Sequence, residues 1–137
     1  MTTEYIIDAE TAQSELERFA DAMDLDLTID DDLDKKERKE AQKSISTVLR
    51  AIRSGRLVID DDGIPTFTPT KNNVAPIRFN EPTGATLIAA DKFGDNQKLH
   101  KLYAMLAEMA RVPSNTFSKL AMSDLKEVLA VGGLFLG

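Results

Sequence analysis

Asp60-Asp61-Asp62-Gly63 is a dense run of metal-capable side chains in this sequence of 137 residues. A calcium loop of the EF-hand type places oxygen ligands at alternate positions, a glycine at the sixth and a bidentate glutamate at the twelfth. Here the acids are consecutive, and Lys71 stands at the twelfth position counted from Asp60. Asp24, Asp26 and Asp30 have part of the alternation, but the sixth place holds Ile29. Both stretches read as solvated turns, and no metal site is expected. His100 is the single histidine and there is no cysteine, which removes multi-histidine and thiolate sites. A histidine base also needs an orienting acid and a nucleophile. Between Lys98 and Lys101, His100 reads as a boundary position on a helix. Neither GxGxxG nor GxxxxGK[ST] occurs, and GxSxG is absent. The reading is of a non-enzyme, with no catalytic residue and no cofactor.

A second kind of chemistry is charge recognition. Lys35, Lys36, Arg38, Lys39 and Lys43, followed by Arg50, Arg53 and Arg56, form a basic run. Residues 30–56 also hold six acids against these eight bases, and no aromatic side chain interleaves for base stacking. The run therefore reads as a solvated, self-paired helix face. The wider balance agrees, because residues 1–69 carry 17 acidic and 9 basic side chains and residues 70–137 carry 6 and 8. An acidic N-terminal half disfavours a phosphate backbone as the main partner.

The elements that would position these groups follow from hydrophobic periodicity. Ala12, Leu16, Phe19, Ala20 and Met23 make an amphipathic stripe over residues 9–23, with Asp8 as the cap. A second helix spans 34–54 on Ala41, Ile45, Val48, Leu49 and Ile52, and Gly55 supplies its left-handed stop. Asp31–Lys35, Asp32–Lys36 and Asp34–Arg38 have the favourable i, i+4 order for its first turns. Leu57-Val58-Ile59 and residues 64–68 read as strands about an Asp62-Gly63 turn, with Pro65 at an edge or at a strand start. Residues 77–79 can add a third strand. Thr83 caps a short helix with Leu87, Ile88 and Ala90, and a longer one follows over 96–110 until Pro113 stops it. Ser114 then caps a turn holding Phe117 and Leu120. Ser123 caps a last helix, with Glu127 near the capping-box position. The expected fold is mainly α with a small β-hairpin or three-stranded sheet, an α+β fold. The boundary is drawn between an N-terminal unit, 1–69, and a C-terminal helical unit, 70–137, able to share a core.

No apolar run approaches the roughly 18 residues of a membrane span. Met1-Thr2-Thr3-Glu4 lacks the basic and apolar regions of a secretory signal, so a cytoplasmic location is expected. The ending Leu134-Phe135-Leu136, flanked by glycines, is unusually apolar and has two readings. It is either a helix turn tucked onto the core or an exposed patch for a partner.

The motifs in the second half have a recognisable order. They begin with Ile77-Arg78-Phe79 and Glu81-Pro82-Thr83-Gly84, with Leu87 and Asp91 behind them. Leu106, Ala110 and Val112-Pro113 follow, then Leu120 and Asp124, then Phe135-Leu136. Over about residues 75–137 this order resembles the tail assembly chaperones of tailed bacteriophages, the phage Mu tail-protein-like and lambda-type group. The resemblance implies a non-enzymatic helper in the host cytoplasm that binds the tape measure protein and the tail tube protein and is absent from the virion. A homo-oligomer is left open. Helix-in-groove binding would draw its lining from Leu99, Leu102, Leu106, Met109, Phe117, Leu120, Leu134, Phe135 and Leu136. A structural tail or head–tail connector protein retained in the particle, and a small regulatory nucleic-acid binder using the basic helix, are the alternatives.

Overall fold

The computed structural model describes residues 5–29 and 31–136, the side chain of Leu136 excepted. The described residues form six helices and one three-stranded antiparallel sheet, a mainly helical α+β fold. Two helices come first, α1 (Ala9–Ala22) and α2 (Lys35–Arg53). The sheet follows, in the order β1 (Leu57–Ile59), β2 (Pro65–Phe67) and β3 (Ile77–Arg78). Four helices complete the chain: α3 (Gly84–Ala90), α4 (Lys98–Ala110), α5 (Asn115–Ser118) and α6 (Met122–Leu136).

Capping chemistry sets the starts of the first two helices. Asp8 accepts the Thr11 amide at 2.7 Å and Asp34 accepts that of Glu37 at 2.8 Å. The anticipated pairs of Asp31 and Asp32 with Lys35 and Lys36 do not form inside a helix, because the helix begins only at Lys35 and Asp34 is spent as its cap. Three helices stop through a left-handed residue. At the end of α2 this is Gly55 (φ +78°), where the Gly55 amide donates to Ile52 and the Arg56 amide to Ala51. Asp24 (φ 53°) after α1 and Arg111 (φ 57°) after α4 do the same work without being glycine. Thus α4 is closed by Arg111, two residues before Pro113.

In the sheet, Leu57 faces Phe67, and Phe67 faces Ile77. Alternation sends Leu57, Ile59, Phe67, Ile77 and Phe79 into the core and Val58 outward. Pro65 begins β2, which lies in the centre of the sheet rather than at its edge. Gly63 (φ +79°) makes the hairpin turn and also lets it approach α1, since a Cβ there would sit 2.2 Å from the Ala22 Cβ. Arg18 ties the same junction by donating to the carbonyls of Asp60 and Ile59.

One hydrophobic cluster runs from α1 to α6. The Phe19 and Phe135 rings meet edge-on with centroids 5.1 Å apart, and Tyr103 lies 5.8 Å from Phe117. The boundary drawn at residues 69 and 70 falls in the loop between β2 and β3, and polar ties cross it. Arg56 forms a two-pronged ion pair with Glu127 on α6. On the C-terminal side of the boundary, buried Asp124 accepts the Thr70 amide (3.0 Å), the Thr70 hydroxyl (2.9 Å) and the Lys71 amide (3.3 Å). Glu127 therefore serves a tertiary ion pair in place of a capping box, and α6 starts at Met122, ahead of Ser123. Ser114 also lacks a capping hydrogen bond, because its own backbone is already helical.

Candidate interaction surface

The segment Glu81-Pro82-Thr83 leads directly into α3, and local chemistry accounts for its shape. Asn80 is pinned to the end of α4, its side-chain amide donating to the Met109 carbonyl at 2.9 Å. The proline disfavours helix at Glu81, and Thr83 opens the next helix. Thr83 Oγ1 accepts the Ala85 amide at 3.2 Å, and Thr86 Oγ1 accepts that of Thr83 at 3.0 Å. The fully buried Thr86 hydroxyl donates in turn to Glu108 on α4. That bond fixes the roll of α3. Successive helical side chains are about 100° apart, so with Thr86 inward Leu87 and Ile88 are turned out. They are 65% and 70% exposed. The hairpin returns through Phe93, whose ring stacks on His100 with centroids 5.8 Å apart, and Lys101 pairs with Asp95 at 3.0 Å. Leu99, in the first turn of α4, is 52% exposed. Three large aliphatic side chains thus stand in water on one helical hairpin.

Of the nine residues expected to line a groove, Leu99 alone is largely exposed among those whose side chains are described. Leu106, Met109, Phe117, Leu120 and Phe135 are buried in the core, and Leu102 and Leu134 are packed against it. The side chain of Leu136 lies outside the described residues. This corrects the expected lining: the stripe of α4 and the end of α6 face each other and are consumed in closing the fold. Gly132 shows how closely they pack, since a Cβ there would lie 3.0 Å from Leu106 Cδ2. Leu87 and Ile88 were missed as surface residues. The spacing Thr83-x-x-Thr86 carried the signal, because a reciprocal cap turns Thr86 toward the body and its neighbours away.

The other candidates have structural duties. Asp60 Oδ1 accepts the amides of Asp62 (2.9 Å) and Ile64 (3.0 Å), and Oδ2 pairs with Arg78 at 3.0 Å. The Ile64 amide first, then Arg78, hold its carboxyl below the usual carboxylate range. Asp26 accepts the Thr28 amide at 2.8 Å, and Asp30 lies outside the described residues. Among the described residues no group of three or more His, Asp or Glu side chains is arranged to hold a metal ion, and no helix is long and apolar enough to cross a membrane. The basic face of α2 is solvated but not self-paired: no ion pair among the described residues involves Lys35, Lys36, Arg38, Lys39, Lys43, Arg50 or Arg53. Arg53 instead stacks on Tyr5, 4.0 Å from the ring centroid.

No known protein family, curated protein or solved structure matches this chain.

Proposed function

We propose that this chain is a non-enzymatic tail assembly chaperone of a tailed bacteriophage, which holds the tape measure protein, the tail tube protein or both in the host cytoplasm and is left out of the finished virion. One observation carries the reading: the Glu81-Pro82-Thr83 motif of the resemblance caps the helix that presents Leu87 and Ile88 to solvent. A tape measure protein exposes long apolar helical surface until the tube encloses it. The α3–α4 hairpin offers such a surface a matching apolar face on a rigid mount.

The magnitude suits a partner that must later be released. Burying what is exposed of Leu87, Ile88 and Leu99 contributes on the order of 3–6 kcal/mol before ordering costs. That supports reversible contact and falls short of a permanent interface.

Co-expression with a tape measure or tail tube protein tests the proposal. The wild type should yield a soluble complex, and a chain carrying L87S, I88S and L99S should lose it with an unchanged melting temperature. Retention of neither protein by the wild type refutes the function. A complex that survives the triple substitution moves the surface elsewhere. Mass spectrometry of purified virions separates a chaperone, which is absent, from a connector, which is retained.

A further inference from the structure

The outer seam between α2 and α6 carries both signs of charge in separate halves. Because the two helices run antiparallel, the start of α2 lies beside the end of α6. There a hollow of about 480 Å³ is lined by Asp26, Glu37 and Glu40 around Leu33 and Leu134. Further along α2 a second hollow, of about 390 Å³, is lined by Lys43, Arg50 and Lys126 around Thr47 and Leu129. Ser44 borders both, so they are consecutive stretches of one seam. Glu37, Glu40, Lys43, Arg50 and Lys126 are all exposed, and none takes part in an ion pair among the described residues.

A seam of this kind discriminates between occupants. A uniformly acidic partner is repelled by the Glu37/Glu40 half, and a nucleic acid more strongly so. A basic partner is repelled by the other half. The surface that matches both halves at once is this same surface turned end for end, the requirement of an isologous two-fold interface. With a two-fold axis near the Lys43–Ser44 peptide, Glu37 comes opposite Arg50 of the second copy and Glu40 opposite Thr47, with Lys43 one turn away. Each contact occurs twice. Half-buried Leu33, Leu129 and Leu134 add apolar contact along the seam that charge pairs alone do not provide.

We infer that the chain self-associates as an antiparallel two-fold dimer through the α2–α6 seam, the acidic half of one copy seated on the basic half of the other. The seam is separate from the α3–α4 hairpin, so the inference stands without the proposed function.

Sedimentation velocity on the full chain tests it. At about 0.05 M salt and on the order of 100 µM protein the wild type should be dimeric, and at about 0.5 M salt screening should raise its dissociation constant roughly tenfold or more. E37K/E40K alone and K43E/R50E alone should each be monomeric, because each leaves five of the six seam charges with one sign, only Asp26 or Lys126 opposing them. The chain carrying all four substitutions restores the alternation with its ends exchanged. It should dimerise with itself as the wild type does, yet fail to pair with the wild type. That recovery separates a lost interface from a damaged fold. A wild type that stays monomeric at low salt overturns the inference, as does a dimer unmoved by either reversal or a fourfold variant that stays monomeric. A monomeric wild type that binds a labelled polyglutamate peptide assigns the basic half to an acidic partner and overturns it too.

Discussion

Removing the carboxylate of Glu127 should destabilise the fold by about 2–3 kcal/mol, well above the effect of an ordinary surface pair. The figure comes from where the pair sits. Arg56 Nε lies 2.9 and 3.1 Å from the two carboxylate oxygens and Nη2 also donates, so the contact is two-pronged. The side chains of Arg56 and Glu127 are 22% and 9% exposed, which places the pair between two limits. An exposed pair is worth about 0–1 kcal/mol, whereas stripping one partner from a fully buried pair costs about 3–5. A guanidinium is not deprotonated in proteins, so Arg56 stays charged when its partner is removed. Its partial access to water limits the cost. A double-mutant cycle with Arg56→Met, Glu127→Leu and their combination, followed by urea unfolding monitored by circular dichroism, isolates the pair. The double replacement should lie within about 1 kcal/mol of wild type, because two apolar groups of similar size leave no orphaned charge. Glu127→Leu costing under about 1 kcal/mol, or a double variant as unstable as the two single changes added, would refute the argument that desolvation sets the magnitude.

Three further outcomes follow from other parts of the fold. Arg111→Gly should stabilise the protein by about 0.5–1.5 kcal/mol in thermal unfolding, since a non-glycine residue holds the left-handed stop of α4 at φ 57°; a loss of stability would show that the Arg111 side chain contributes more than its backbone costs. The neighbours Gly132 and Gly133 should respond with opposite sign. Gly132→Ala meets Leu106 at 3.0 Å and should cost about 1–2 kcal/mol, while Gly133→Ala meets nothing within 4 Å and should gain about 0.5–1, and equal responses would contradict the α4–α6 packing. Asp8, Asp26 and Asp60 are held below the usual carboxylate range, chiefly by backbone amides of Thr11, Thr28 and Ile64. A depressed folded-state pKa contributes stability that is present above the ordinary value, about 3.9, and lost as pH falls through the lowered one. Stability should therefore fall with acid below about pH 4, and Asp60→Asn, measured by unfolding across pH, should flatten part of that slope; an unchanged slope removes Asp60 from the account.

Much of the secondary structure was legible because its causes are local. The stripes of α1, α2 and α4, the Asp8 and Thr83 caps, Gly55 and the Asp62-Gly63 turn lie within a few residues of the backbone they shape. The order β1, β2, β3 follows from short connections. The interaction surface was much less legible. A stripe such as Leu102, Leu106 and Met109 states that a helix has an apolar face, but the partner of that face is a matter of tertiary geometry.

What the sequence determined by itself is the α+β class, the position of most helix starts and stops, and the lack of the familiar phosphate-loop, nucleophile-elbow and multi-histidine motifs. Only the tertiary structure decided which apolar residues are spent. Bringing α4, α5 and the end of α6 together closed Leu106, Phe117 and Phe135 into the core, and the Thr86–Glu108 bond rolled α3 so that Leu87 and Ile88 face out. Likewise Glu127, suited by spacing to a cap, was claimed by Arg56 from 71 residues away, because a half-buried charge requires its partner more than a helix end requires a second cap. Burial is a property of pairs of surfaces, and no stretch of a single helix contains it.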